Sequence, residues 1–285
     1  DVLEYIVQEG KKRNIPSCLI TFNPNPFYVL SDQPKPINLQ SQDLKLKTLE
    51  EIGLDKVLVI PFTEQFSFMT AQEFAETILK ELFNPQVISV GTNHFFGHNK
   101  EGDLSFLKVF CNQNNIHLHV PEMIKHEDNT ISSSLIRSLI LDGNSNKVYD
   151  FLGRFYGFEA KIVSGSNRGK TMNYPTANFI PIFENQLLPS SGVYLSRVFL
   201  DGETYFGMTN AGVRPTFNEK KFVMEVHILS DKFGNLYDKN FYIEFLDKIR
   251  DEKKFDNMEL LIKQIEKDKE VCIKLIDTFK EKYEI

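Results

Sequence analysis

The chain lacks the features that mark several classes of protein. It has no basic excess, because 33 Lys and Arg residues face 39 Asp and Glu residues for a formal net charge of −6. Surfaces that bind nucleic acid need such an excess, so nucleic acid is a poor candidate partner. No apolar run approaches the roughly 18 residues that cross a bilayer, so a membrane is not an expected partner either.

Cysteine is also scarce. Cys18, Cys111 and Cys272 lie far apart in the 285 residues and form no CxxC pair. That spacing argues against a disulfide framework or a zinc knuckle and fits a reducing compartment. We therefore expect a cytoplasmic protein, and the sequence leaves its oligomeric state open.

Strand and helix patterns alternate about four times in the first half of the chain. The short apolar strands lack a polar face and lie at residues 18–22, 57–60, 87–90 and 116–120. Buried strands separated by helices predict an α/β domain with a Rossmann-like, open parallel sheet over residues 1–150. Such sheets bind ligands beyond the carboxyl ends of their strands.

The pattern changes near Gly153. Short alternating strands separated by turns follow at 193–198, 204–208, 223–228 and 241–245, and an amphipathic helix follows at 258–283. Close strands without crossover helices predict an antiparallel β-barrel with a closing helix over residues 151–285. The stretch 141–153 is the expected joint between the two domains.

A glycine-rich loop at residues 165–171 is the first candidate site. It has three residues between its glycines instead of the four of a P-loop, and a proline soon follows, which disfavours the required helix. A flexible hairpin is one interpretation. The other is a different phosphate loop, in which Gly165 and Gly169 allow close backbone approach and Arg168 and Lys170 counter the charge.

The segment Pro175-Thr-Ala-Asn178 is the second candidate. Thr176 and Asn178 share one face of an extended segment, because side chains alternate along it. Two neutral oxygens on one face suit Mg²⁺, which keeps water and phosphate oxygens as its other ligands. A β-turn with Asn is the alternative.

Glu225 lies on a predicted strand, on the same face as His227. If that face borders a cleft, the carboxylate can act as a general base. If it does not, Glu225 is a solvent-facing carboxylate on the surface of a barrel. Arg250, in a run of mixed charge, could reach a ligand or belong to a solvated turn.

Ser132 and Ser133 begin a predicted helix and Arg137 follows one turn later. Helix N-termini bind anions through free amides and the helix dipole, although an ordinary N-cap explains the serines equally well. The loop 91–97 follows a buried strand and is a candidate ligand contact. Pairs of histidines at 94 and 98 and at 117 and 119 lack the further ligands of a transition-metal site.

The motifs occur in an order that resembles the bifunctional bacterial riboflavin kinase/FMN adenylyltransferase family, the prokaryotic FAD synthetases. The resemblance covers nearly the whole chain and rests on ten segments in sequence. These are 21–26, 91–97, 132–137, 152–156, 165–171, 175–178, 192–194, 210–217, 225–227 and 250–255.

The resemblance implies roles for several of these residues. Thr176 and Asn178 would bind the Mg²⁺ of Mg-ATP, and the loop from Gly165 would cover the phosphates. Glu225 would deprotonate the ribityl hydroxyl of riboflavin, and Arg250 would border the flavin. The products would be FMN in the second domain and FAD in the first, both made with ATP.

The first domain departs from the family pattern. The family begins with a strand that carries a His-containing ATP motif, and this chain starts just after that place, so its first strand is expected to be missing. Asn25 stands where the family has a histidine, Asn93 where it has an acidic residue and Ser134 where it has Thr. A monofunctional riboflavin kinase with a degenerate first domain and a non-catalytic flavin or nucleotide sensor therefore remain alternatives.

Overall fold

The computed structural model describes residues 2–31, 37–122, 125–126, 129–164, 174–215, 220–230 and 239–283. The chain divides into two compact units. The first comprises Asp1–Pro36 and Gln42–Thr130, and the second comprises Ile37–Ser41 and Ile131–Ile285. The predicted functional boundary between residues 150 and 151 stays a prediction.

Parallel strands form the centre of the first unit, as the sequence predicts. Strand β1 (Cys18–Phe22) pairs with β2 (Lys56–Ile60), and β3 (Val87–Ser89) pairs with β4 (His117–His119). Across the described residues these strands form two separate pairs. A short antiparallel pair, β5 (Lys125–His126) and β6 (Asn129–Thr130), follows.

Helices connect these strands. They are α1 (Val2–Arg13), α2 (Pro26–Leu30), α3 (Gln42–Ile52), α4 (Glu64–Ser67), α5 (Ala71–Glu73, continued by a π-helical segment Phe74–Phe83) and α6 (Leu104–Gln113), with a 3₁₀ turn at His98–Lys100. A capping box begins α5: Thr70 Oγ1 accepts a hydrogen bond from the Glu73 amide, and the Glu73 carboxylate accepts one from the Thr70 amide. Helix α1 includes Gly10 and ends at Arg13.

A closed antiparallel barrel of six strands forms the second unit, as predicted. The strands are β7 (Tyr156–Val163), β8 (Ala177–Pro181), β9 (Gly192–Leu200), β10 (Glu203–Pro215), β11 (Lys220–Ile228) and β12 (Asn240–Arg250). They close in the order β10-β11-β8-β7-β12-β9. The sequence pattern misses β7 and β8, because both lie beside turn-rich segments.

Two apolar layers stabilise this unit. The barrel interior contains Phe158, Ala211 and Ile243, each at most 1% exposed. Outside it, helix α9 (Met258–Tyr283) buries Cys272 and Phe279 against the barrel. Among the described residues, no helix combines the length and apolarity needed to span a membrane.

Helices α7 (Ser133–Leu141) and α8 (Ser145–Leu152) also belong to the second unit. The stretch 141–153, the expected joint between the domains, includes α8 and stays a prediction as a joint. Val148 of α8 is 1% exposed and lies in the same apolar cluster as the barrel interior. The apolar face of this stretch is short, as in a linker, but Val148 packs into the core.

Residues 37–41, called the strap below, belong to the second unit and pack on the barrel. Gln186 is 4% exposed, and its Nε2 donates to the Leu39 carbonyl at 2.9 Å and to the Tyr156 hydroxyl at 2.7 Å. Asn38 exchanges backbone hydrogen bonds with Asn185 and Leu187. One buried amide therefore joins the strap to the barrel wall.

Replacing Gln186 by Leu should lower the free energy of unfolding of the barrel unit by about 1–3 kcal/mol. The substitution leaves the buried Tyr156 hydroxyl and the partly buried Leu39 carbonyl without the amide that donates to them. Urea denaturation of the full chain measures the effect. Asn185→Leu, an exposed neighbour in the same loop, is the control. Equal midpoints for the two variants would contradict the role given to Gln186.

Candidate active site

Three neighbouring strands of the barrel place polar side chains in one row. Glu225 on β11 is in register with Asn178 on β8 and with Asn210 on β10. Residues directly opposite each other on paired strands share a face, with Cβ atoms about 4.5–5.5 Å apart. The carboxylate therefore lies between two carboxamides.

This row faces the outside of the barrel. Ala177 and Val226, which flank Asn178 and Glu225, line a small apolar pocket together with residues of the barrel interior such as Phe241. Because side chains alternate along a strand, Asn178 and Glu225 point the other way. Asn178 is nevertheless only 9% exposed and Glu225 is half-buried, whereas Asn210 is exposed, so the row is sheltered at its β8 end.

Thr176 completes the cluster. Its hydroxyl lies 3.5 Å from Oε2 of Glu225, at the long limit for a hydrogen bond. A hydroxyl, an amide oxygen and a carboxylate thus converge on one patch of the barrel. Such oxygens are the donors that a hard divalent cation prefers, so their chemistry fits Mg²⁺.

The Arg250 side chain binds other residues of the second unit. Its Nε and Nη2 donate to Asp268 of helix α9 at 3.0 and 2.8 Å, and its guanidinium lies over the Phe255 ring. Asp268 is 3% exposed and also accepts from Gln264. Arg250 therefore anchors the closing helix to the end of β12, a partnership that the sequence did not predict.

Comparison with known proteins matches both halves of the chain to families. Residues 152–276 match the family described as riboflavin kinase, and residues 1–135 match FAD synthetase. The bifunctional riboflavin kinase/FMN adenylyltransferase of Escherichia coli (strain K12) is 31% identical over 94% of this chain and 85% of its own length. The protein of that name from Bacillus subtilis (strain 168) is 29% identical over 94% of this chain and 84% of its own.

The chain belongs to the bifunctional riboflavin kinase/FMN adenylyltransferase family. A solved structure described as a macrolide-efflux protein from Streptococcus pneumoniae shares the fold with a TM-score of 0.86 and 29% identity, over 95% of this chain and 88% of that one. Efflux is the description of that protein. The two family matches of this chain describe flavin chemistry.

In the riboflavin kinase region, the structure brings together Thr176, Asn178 and Glu225 and adds Asn210, which sequence reasoning gave no role. Only pairing between β10 and β11 could reveal Asn210, since it lies 15 residues from Glu225 in sequence and directly opposite in register. The loop with Gly165, Arg168, Gly169 and Lys170 lies outside the described residues.

In the FAD synthetase region, the two asparagines stand near carboxyl ends of parallel strands. Asn25 follows β1 and caps α2, where its side chain accepts the Phe27 amide at 3.0 Å. Asn93 lies in an exposed turn after β3. Sequence reasoning missed Lys45, whose Nζ donates to Thr21 Oγ1 at 2.6 Å beside the end of β1 and whose pKa is lowered by burial. A cation therefore stands at the edge where such strands bind ligands.

The serine-rich helix start lies in the second unit. Ser132 caps α7: its hydroxyl accepts a hydrogen bond from the Leu135 amide at 3.2 Å. Ser133 occupies the first helical position and is exposed. Arg137 donates its Nε to the Ile37 carbonyl of the strap at 2.9 Å. The ordinary N-cap is thus present, and Arg137 has a partner within its own unit.

The histidines make local contacts. His98 Nδ1 lies 2.9 Å from the Ser67 carbonyl, and His119 Nδ1 lies 2.9 Å from Ser89 Oγ. Within the described ranges, no group of three or more His, Cys, Asp or Glu side chains could hold a metal ion. These histidines therefore carry no argument for a transition metal.

Replacing Asp268 by Ala should lower the free energy of unfolding by about 3 kcal/mol. Breaking a buried ion pair costs roughly 3–5 kcal/mol, and the lower end applies because 22% of the Arg250 side chain is exposed. Thermal unfolding of the full chain tests this value. Asp277→Ala, an exposed position on the same helix, should change little. An Asp268→Ala protein as stable as that control would remove the anchoring role.

Proposed function

We propose that this chain makes flavin nucleotides by two reactions. Its second region transfers the γ-phosphoryl group of ATP to riboflavin and yields FMN and ADP. Its first region transfers AMP from ATP to FMN and yields FAD and pyrophosphate. The observation that carries the first reaction is the convergence of Thr176, Asn178 and Glu225 on the outer face of a flavokinase barrel.

Glu225 is the proposed general base. Its carboxylate accepts the proton of the ribityl 5′-hydroxyl while that oxygen bonds to the γ-phosphorus and the bond to ADP breaks. The half-buried position between two carboxamides orients the carboxylate and limits its access to water. Positioning and charge neutralisation supply most of the catalysis in such transfers.

Thr176 and Asn178 are the proposed holders of Mg²⁺, through a hydroxyl and an amide oxygen. If held there, Mg²⁺ would supply positive charge against the phosphates of ATP. The loop with Gly165, Arg168, Gly169 and Lys170 is proposed to cover the phosphates, on the family resemblance alone. Arg250 is proposed to border the flavin while it holds helix α9 through Asp268.

The adenylyl transfer rests on the FAD synthetase match over residues 1–135. Asn25 and Asn93 stand at the ligand edge of the parallel strands of the first unit and are proposed nucleotide contacts. Ser132, Ser133 and Arg137, at the start of α7 in the second unit, are proposed nucleotide contacts on the family resemblance alone. We also propose a cytoplasmic location, because Cys18, Cys111 and Cys272 are unpaired thiols.

Replacing Glu225 by Gln should lower kcat for FMN formation about 10²- to 10⁴-fold, the usual contribution of a general base. Affinity for Mg-ATP should stay within about twofold, since the amide keeps the shape of the side chain. Turnover is measured by chromatographic detection of FMN from riboflavin and Mg-ATP. Glu203→Gln, an exposed carboxylate at the start of β10, is the control. Unchanged turnover in Glu225→Gln would remove it as the base.

The second reaction is tested by supplying FMN and Mg-ATP to the full chain. FAD and pyrophosphate should form, and the Glu225→Gln variant should form them at the wild-type rate because its substitution lies in the other region. A chain that makes FMN in the riboflavin assay but forms no FAD from FMN and Mg-ATP would instead be a monofunctional kinase. Tight flavin binding with neither product would identify a sensor.

A further inference from the structure

The placement of Thr176 depends on a segment outside the strands. Residues 174–176 precede β8, which begins at Ala177, and strand pairing therefore does not hold them. Thr176 nevertheless brings its hydroxyl to 3.5 Å from Glu225. Some contact other than the strand ladder must fix this segment.

His227 supplies such a contact. It lies two residues after Glu225 on β11, so both side chains leave the same face of the strand. Its Nδ1 lies 2.9 Å from the carbonyl oxygen of Pro175. A carbonyl only accepts, so this geometry requires a proton on Nδ1. Burial lowers the pKa of His227, which leaves the ring neutral near pH 7 with its single proton on that nitrogen.

The surroundings of His227 hold its ring in this orientation. The imidazole is 8% exposed, and the Tyr174 ring packs against it edge to face with centroids 5.4 Å apart. Lys269 Nζ, on helix α9, lies 6.0 Å from the centroid of Tyr174. Lys269 follows Asp268, the residue bound by Arg250. The closing helix therefore contacts the segment 174–176 through Tyr174.

We propose that His227 is a positioning residue for phosphoryl transfer, whose Nδ1–H holds the Pro175 carbonyl and so sets the Thr176 hydroxyl against Glu225. This inference rests on the proposed kinase reaction. A misplacement of about 1 Å in a reactive geometry can cost about 10²-fold in rate. In this role His227 acts through Thr176 and not on the substrate directly.

The test compares three substitutions in the full chain. His227→Leu removes the donor and should lower kcat about 10- to 100-fold, with a higher Mg²⁺ concentration for half-maximal rate and little change in KM for riboflavin. His227→Asn places an amide donor where Nδ1 stands and should recover most of kcat. His227→Gln places its amide nearer the position of Nε2 and should not.

Leu229→Ala is the matched control, because Leu229 directly follows the last residue of β11 and packs against the apolar cluster under helix α9. It should lower the melting temperature without changing the Mg²⁺ dependence. If His227→Asn and His227→Gln have equal kcat, or if kcat follows melting temperature across all four variants, the positioning role is wrong while the kinase assignment stands. A wild-type chain that forms no FMN would instead overturn both.

A readout independent of activity completes the test. Two-bond ¹H–¹⁵N NMR correlations of the wild-type protein near pH 7 should show the His227 proton on Nδ1. A proton on Nε2 would mean that Nδ1 cannot donate to Pro175, and it would overturn the inference even in an active enzyme.

Discussion

The hydrogen-bonded closure of the barrel is the constraint on which the candidate site depends. Strand β8 is five residues long, yet it pairs with β7 on one edge and β11 on the other. A slip of one residue would turn every side chain of a strand to its opposite face. Closure excludes that slip, so Asn178 stays beside Glu225 and their apolar neighbours stay inside. The chemistry of the outer face is thus fixed by packing of the inner one.

Side chains outside the barrel fix the segments that strand pairing does not hold, namely the closing helix and the strap. Arg250 and Asp268 hold the closing helix, and Gln186 holds the strap drawn from the first half of the chain. Each of these contacts joins a buried polar group to a partner on another element, where an unpaired group would be costly. The second unit is therefore assembled from two stretches of sequence, 37–41 and 131–285.

Local patterns predicted much of the fold. Helix α9 begins and ends where the amphipathic pattern does, and β1 matches its apolar run, because both signals lie within the element itself. Helix α8 was missed for the opposite reason: its burial comes from Val148 packing on the barrel, which no local period encodes. Strands β7 and β8 are likewise defined by their pairing with other strands, which the local sequence does not show.

The sequence by itself determined the fold class, the family and the residue types of the site, since order and spacing of motifs such as Pro175–Asn178 are properties of the chain. Only the tertiary structure decided which side chains meet. Asn210 opposite Glu225, Asp268 on Arg250, and the strap on Gln186 join residues from 15 to 147 positions apart. Strand register and helix packing choose such partners, and both are set by burial of the whole core rather than by any local segment.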